Sequence, residues 1–214
     1  MILYGSTLSP FVRKVAAVLA EKGIDYDNVV TRFDQPDPTF LKASPMRKMP
    51  AIKDGDYMLA DSSAIIHYLD AKYPEPSLIP AEAEARGKAI WYEEWADTVF
   101  VSCGAKMFFN RIVAPRFLGR PGDLEAAAVA EAKELPGLLD YLETVVPEPG
   151  GFLVGERLTI ADLAIASPFA NLAHLDVAVD SHPRTAAYIS SILERPSFAP
   201  LIARETAFLV ATAA

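Results

Sequence analysis

Ile2-Leu3-Tyr4-Gly5-Ser6-Thr7-Leu8-Ser9-Pro10-Phe11-Val12-Arg13-Lys14-Val15 runs from a short apolar strand, through a polar turn, into a helix that opens at Ser-Pro. Serine followed by proline is a common helix start, with serine at the N-cap and proline at the first helical position. This layout aims the Ser9 hydroxyl and the unpaired N–H groups of the first turn at whatever lies above the strand end. The helix macrodipole makes such a place favourable to an anion or a thiolate.

Outward from this run, the first third of the chain alternates in period. Ile2 to Tyr4 reads as a strand. Phe11 to Ala20 reads as a helix carrying Val12, Val15, Ala16, Val18 and Leu19, closed by Gly23. Tyr26 to Val30 is a second strand candidate. A loop rich in Asp and Pro, Asp34 to Pro38, leads to a short helix near Thr39 to Lys42. Ala51 to Lys53 and Tyr57 to Leu59 read as small strands around Asp54-Gly55-Asp56, a hairpin turn signal. A helix from Ser62 to Ala71 closes the unit before Tyr73-Pro74, so the expected order is βαβαββα.

Pro74-Glu75-Pro76 and Pro80 then break the pattern and read as a linker, 74–81. Beyond it the sequence is helical throughout. A long helix is expected from Glu82 to about Arg111, bent or frayed near Gly104. A second runs from Asp123 to Val145, kinked or interrupted at Pro136. Thr159 to Leu172, Pro183 to Leu193 and Ser197 to Phe208 complete an all-α second domain, 82–214, beside an α/β first domain, 1–73. In Leu158-Thr159-Ile160-Ala161-Asp162-Leu163, Thr159 and Asp162 form a capping box and Leu158 can staple onto Leu163.

Composition narrows the class of partner. The formal net charge of −8 argues against nucleic acid or an anionic membrane surface as the main partner. The single cysteine, Cys103, excludes an intrachain disulfide and a cysteine zinc site. His67, His174 and His182 lack carboxylates at ligand spacing, so no metal site is expected. The most apolar stretch, Leu163 to Val179, is interrupted by Pro168, Asn171, His174 and Asp176 and is a poor membrane span. No charged and apolar leader pattern stands at the start. A cytoplasmic protein is the expectation.

Two further segments carry chemistry beside the Ser9 turn: Lys48-Met49-Pro50-Ala51-Ile52 and Asp61-Ser62-Ser63-Ala64-Ile65. With Ser9-Pro10-Phe11 and the capping box at Leu158 to Asp162, they stand in a fixed order. In that order the chain resembles the cytosolic glutathione transferases over essentially its whole length. Ser9-Pro10-Phe11 is similar to the active-site turn of the serine classes. Met49-Pro50 is similar to the family's valine/isoleucine–proline segment, and Asp61-Ser62 to its acidic-serine pair.

The resemblance implies a thioredoxin-like domain followed by a helical domain, glutathione as co-substrate and a homodimer. It implies a cis Pro50, a geometry that only about 5–6% of X–Pro bonds adopt in folded proteins. The Met49 main chain would then pair with a short peptide as an added strand does. Ser62, at a helix N-terminus, would take the γ-glutamyl carboxylate. Asp61 would meet the glutamyl ammonium, and Lys48 the glycyl carboxylate or the Met49 backbone.

A free thiol has a pKa near ~8.5, so conjugation at neutral pH needs help. A hydroxyl donating to the thiolate is worth roughly 1.5–3 kcal/mol, or about one to two pH units. Ser9 is the expected donor, a role compatible with capping its helix; Ser6, Thr7 and Tyr4 are the rivals. An apolar pocket for a small electrophile is expected on the long aromatic helix that carries Trp91, Tyr92, Trp95 and Phe100. Met107, Phe108 and Arg111 are its candidate lining residues, and Cys103 is a buried small hydrophobe. Isomerase, dehalogenase or peroxidase chemistry, or a non-catalytic binding module, are alternatives on the same fold. Serine at position 9 argues against thiol–disulfide exchange.

Overall fold

The computed structural model describes residues 1–31 and 36–212. Asp34 and Gln35, the start of the expected Asp/Pro loop, lie outside the described residues. The first unit is β1 (Ile2–Tyr4), α1 (Pro10–Glu21), β2 (Asp27–Val29), α2 (Pro38–Ala43), β3 (Ala51–Asp54), β4 (Tyr57–Ala60) and α3 (Ser62–Lys72). The expected βαβαββα order is what the chain adopts. Its sheet runs β2-β1-β3-β4: β1 is parallel to β2 and antiparallel to β3, and β3–β4 is a hairpin. Ile52 lies opposite both Leu3 and Leu59. This is the thioredoxin-like arrangement.

Local rules account for the ends of α1. Pro10 occupies its first turn. At the other end Gly23, at φ +65°, bonds back to the Ala20 carbonyl and Ile24 to that of Leu19, a Schellman closure. Val12, Val15, Ala16 and Leu19 are fully buried, joining Leu3, Ile52, Ile65 and Leu69 in the core.

The second part is helical: α4 (Ala83–Glu94), α5 (Val101–Phe108), α6 (Ala114–Phe117), α7 (Leu124–Val129), α8 (Leu135–Val145), α9 (Ile160–Ala166), α10 (Phe169–Ala173), α11 (Pro183–Leu193) and α12 (Ala199–Ala211). Helices α4 to α6 are one long rod interrupted by π turns at Trp95–Phe100 and Phe109–Val113. The expected bend at Gly104 is therefore corrected, because Gly104 lies in regular α-helix. A third π turn, Ala130–Glu134, joins α7 to α8.

Proline explains two of the three π turns. Pro115 and Pro136 each lack the N–H that the carbonyl four residues earlier would accept, and their rings crowd that carbonyl. Those earlier residues, Arg111 and Ala132, fall inside the π turns, where the widened winding relieves the clash. The expected single helix from Thr159 to Leu172 is likewise broken in two at Ser167-Pro168.

The two parts share one core, in which Val15 and Leu19 of α1 join Ala161 and Ile165 of α9. The connecting segment is pinned. Lys22 Nζ donates to Asp70 and to the carbonyls of Tyr73 and Pro76, and Ile160 N donates to the Leu78 carbonyl. Among the described residues no helix is long and apolar enough to cross a membrane.

Candidate active site

Ser9 is the N-cap residue of α1, but its side chain makes no capping hydrogen bond. Its main chain is occupied: the N–H donates to the Ser6 carbonyl (3.0 Å) and the carbonyl accepts from Arg13 N–H (2.9 Å). Ser9 lines a cavity of about 510 Å³. One side of this cleft is the turn itself, with Ser6, Leu8, Ser9 and Phe11. The other is α5, which presents Val101, Gly104, Ala105 and Phe108 at one helical spacing. Phe109, Phe117 and Pro168 extend the apolar wall, and Asn171 contributes a carboxamide.

Arg47, Lys48 and Met49 also line the cleft. Buried Ser44 staples this loop, since its hydroxyl donates to the Lys48 carbonyl (2.6 Å) and accepts from Lys48 N–H (3.0 Å). The Met49–Pro50 bond is cis, as the resemblance implied; Glu75–Pro76 is cis as well, which nothing in the sequence had singled out. Gly5 lets the Ser9 turn sit against Met49. At φ +130°, a Cβ there would lie 2.6 Å from Val12 Cγ2 and 3.1 Å from Met49 Cβ.

Of the three rivals of Ser9, only Ser6 lines the cleft. Tyr4 is buried beside Phe40, with ring centroids 6.1 Å apart, and is not part of the cleft. Burial and the charge of Asp37 raise its hydroxyl pKa. Thr7 is likewise absent from the cleft lining. Ser6 borders the cleft while its hydroxyl accepts from Leu8 N–H at 3.4 Å.

Asp61 and Ser62 stand outside the apolar cavity, beyond cis Pro50, whose carbonyl accepts from Asp61 N–H at 3.3 Å. Asp61 adopts φ +81°, and its carboxylate caps α3 through Ala64 N–H (3.0 Å). Ser62 is buried, with its hydroxyl 3.5 Å from Asp97 Oδ2 on the long helical rod. Beneath it, buried Lys14 donates to Glu93 (2.9 Å) and Asp97 (2.6 Å), and Ser63 donates to Glu93 (2.7 Å). One ammonium thus serves two carboxylates. Burial pushes the Asp97 carboxyl up, against the pull of Lys14.

Of the three expected pocket residues only Phe108 borders the cleft. Met107 is fully buried in the core on another face of α5, because the cleft stripe 101–104–105–108 leaves position 107 pointing inward. Arg111 pairs with Glu131 and is not on the cleft. Phe100 stacks on Phe169 in the core, and Trp91 packs edge-on against Tyr141 at the surface. Sequence reasoning missed Arg47, Phe117 and Asn171, and it placed Phe109 on the aromatic helix without choosing it as a lining residue. The adjacent Arg47-Lys48 pair was a usable signal for the first; Asn171 comes 162 positions after Ser9 and carried none.

A thioredoxin-like unit, a helical partner and a serine turn facing an apolar cleft define the glutathione-transferase architecture. The chain matches the glutathione S-transferase N-terminal domain family over residues 3–77 and the corresponding C-terminal domain family over residues 115–205. It is 33% identical to glutathione S-transferase 3 of Zea mays, over 94% of this chain and 92% of that protein. With glutathione S-transferase theta-3 of Mus musculus it shares 37% identity over 58% of this chain, a match that spans about half (52%) of the mouse protein. A solved glutathione S-transferase I, bound with the ligand lactoylglutathione, superimposes with a TM-score of 0.81 at 27% identity, covering 94% of this chain and 98% of that one. The chain belongs to the glutathione S-transferase family.

Proposed function

We propose that this protein conjugates glutathione to small apolar electrophiles, with Ser9 as the residue that stabilises the attacking thiolate. The observation that carries this reading is Ser9, whose side chain makes no capping bond to its own helix and which lines a largely apolar cleft of about 510 Å³. A thiolate beside it receives one charge-assisted hydrogen bond and the positive end of the α1 dipole. Together these lower the thiol from about 8.5 by roughly one to two pH units. The serine donates a hydrogen bond and forms no covalent bond. The sulfur attacks an electrophilic carbon held against Phe108 and its apolar neighbours. As the C–S bond forms, the bond to the leaving group breaks and that group departs with its electron pair to solvent. In an addition, the electron pair moves instead onto the acceptor atom, which takes a proton from water.

The rest of the peptide is read along the rim. Met49 offers its main chain. Lys48, joined by Arg47, faces the glycyl carboxylate. Ser62 and the α3 N-terminus face the γ-glutamyl carboxylate, and Asp61 faces the ammonium. The carboxylate of Asp97 beside Ser62 adds a second acceptor on the ammonium side. The protein is read as acting in the cytoplasm as a homodimer, and sedimentation as a monomer at micromolar concentration would overturn that part.

The test is glutathione binding by calorimetry together with thiolate ultraviolet absorbance from pH 5 to 9, for wild type and Ser9→Ala. The reading expects wild type to bind with a thiolate pKa well below ~8.5, and Ser9→Ala to bind but lose that lowering. Survival of the lowering in Ser9→Ala transfers the role to another group. No binding at millimolar glutathione sinks the enzyme reading.

A further inference from the structure

The peptide units flanking Ser9 are held by side chains of the helical part. Asn171 Nδ2 donates to the Leu8 carbonyl at 2.9 Å, and Ser167 Oγ donates to the Pro10 carbonyl at 2.7 Å. These carbonyls belong to the residues immediately before and after Ser9. Both donors are in turn oriented by Arg13, which is fully buried on α1: its Nη1 donates to Asn171 Oδ1 (2.9 Å) and to the Ser167 carbonyl (2.7 Å). The other edge of the guanidinium forks onto Glu205 of α12, whose carboxylate also lies 3.1 Å from His174 Nε2. Arg13, Ser167, Asn171 and Glu205 are buried, and the His174 side chain is 5% exposed.

From this geometry we infer that Asn171 and Ser167 are positioning residues for Ser9: they fix the turn from both sides so that its hydroxyl faces the thiolate. The inference rests on the functional reading of Ser9 given above. Ser9 supplies no side-chain cap of its own, so nothing within its helix fixes the hydroxyl. A hydrogen bond weakens steeply with distance and angle. A turn held at only one carbonyl lets the hydroxyl drift relative to the sulfur.

The break at Pro168 supplies one of these anchors. Asn171 N–H bonds the Pro168 carbonyl (3.0 Å) and not that of Ser167, which accepts from Ala170 N–H (3.3 Å) and from Arg13 Nη1 (2.7 Å). The sequence distance is long, yet the contact is direct.

Two variants test the inference from opposite sides of the turn. Ser167→Ala removes the donor to Pro10. Asn171→Asp keeps an acceptor for Arg13 in nearly the same shape but offers no donor to Leu8. The expected result for each is a rise of about one pH unit in the pKa of bound glutathione, read by thiolate absorbance. Conjugation kcat at neutral pH should fall about tenfold or less, while the glutathione Kd stays within about twofold. Ile192→Val, a core change away from the turn, is the control for lost stability and should leave the thiolate unmoved.

A variant that fails to fold leaves the other to decide. An unshifted thiolate in the folded variants, with wild type showing the lowering, overturns this inference alone. A wild type without any lowering overturns the functional reading, and this inference falls with it.

Discussion

Arg13 Nη2 meets Glu205 Oε2 at 2.7 Å and its Nε lies 3.1 Å from both carboxylate oxygens, so residues 192 positions apart form a buried forked ion pair. It couples the helix behind the serine turn to the last helix of the chain. Bidentate pairing matches the rigid guanidinium to the carboxylate plane, a fit that lysine lacks.

Removing one partner of such a pair leaves a buried charge uncompensated. Glu205→Gln is expected to destabilise the fold by about 3–5 kcal/mol at neutral pH, measured by urea unfolding. Burial alone would raise the Glu205 carboxyl. The hydrogen bond from His174, the Arg13 charge with its hydrogen bond, and the Thr7 hydroxyl outweigh it and hold the carboxyl below its ordinary 4.5. The contribution is therefore complete above pH 4.5 and is lost as pH falls through the lower folded value. The stability gap between wild type and variant should be widest at neutral pH and shrink in that acid window; a gap constant down to acid unfolding would refute the assignment.

Buried Asp162 accepts from Thr159 N–H (2.8 Å), Thr159 hydroxyl (3.0 Å), Leu153 N–H (2.8 Å) and Tyr188 hydroxyl (2.6 Å). The capping box is thus also a junction between α9 and α11. Tyr188→Phe should cost about 1.5–3 kcal/mol, and Asp162→Ala at least about 3 kcal/mol because it orphans several buried donors. Calorimetric melting checks both. The double variant should fall short of the sum, since the two changes delete one shared bond.

Gly104 is a vacancy in the α5 wall. A Cβ at that position meets nothing within 4 Å, and the backbone is ordinary helix. Gly104→Ala should stabilise the protein by about 0.5–1 kcal/mol, a melting rise of roughly 1–4 °C. Gly104→Leu enters the cleft, so kcat/KM for a bulky apolar electrophile should drop while glutathione affinity holds. Unchanged turnover with such a substrate would mean that the electrophile binds elsewhere.

Cys103 is buried, with Sγ 3.6 Å from the Ala130 carbonyl, and burial, assisted by the Glu134 charge, pushes its thiol up to about 11. Relative to an ordinary thiol at 9.0, the thiolate fraction at neutral pH falls by about a hundredfold. Iodoacetamide should leave the native protein unlabelled and add one group in urea, counted by mass. Rapid native labelling would contradict the burial.

Elements closed by local chemistry were readable before the structure. Pro10 and Gly23 bound α1, Asp54-Gly55-Asp56 turns the β3–β4 hairpin, and Thr159 with Asp162 opens α9. Each of these signals acts within a few residues. The long helical rod was less legible. Gly104 looked like the weak point, but a lone glycine with helical dihedrals loses only entropy and leaves every backbone bond intact. Pro115 and Pro136 remove a donor outright, so the ladder widened upstream of them. Met107 and Phe108 are neighbours of similar apolarity, and only the packing of α5 decided which one met the core.

By itself the sequence determined the order of strands and helices and the serine turn at a helix start, along with the capping box. Local dihedral preference and nearest-neighbour hydrogen bonds are enough for these. Only the tertiary structure decided that Thr7 and Tyr4 are absent from the cleft lining and that Ser9 is left uncapped. The same holds for Asn171, Ser167 and Glu205, drawn from distant helices to grip the residues around Ser9 and Arg13. Those outcomes depend on how the apolar faces of α1 and α9 pack, which brings together groups that no sequence spacing relates.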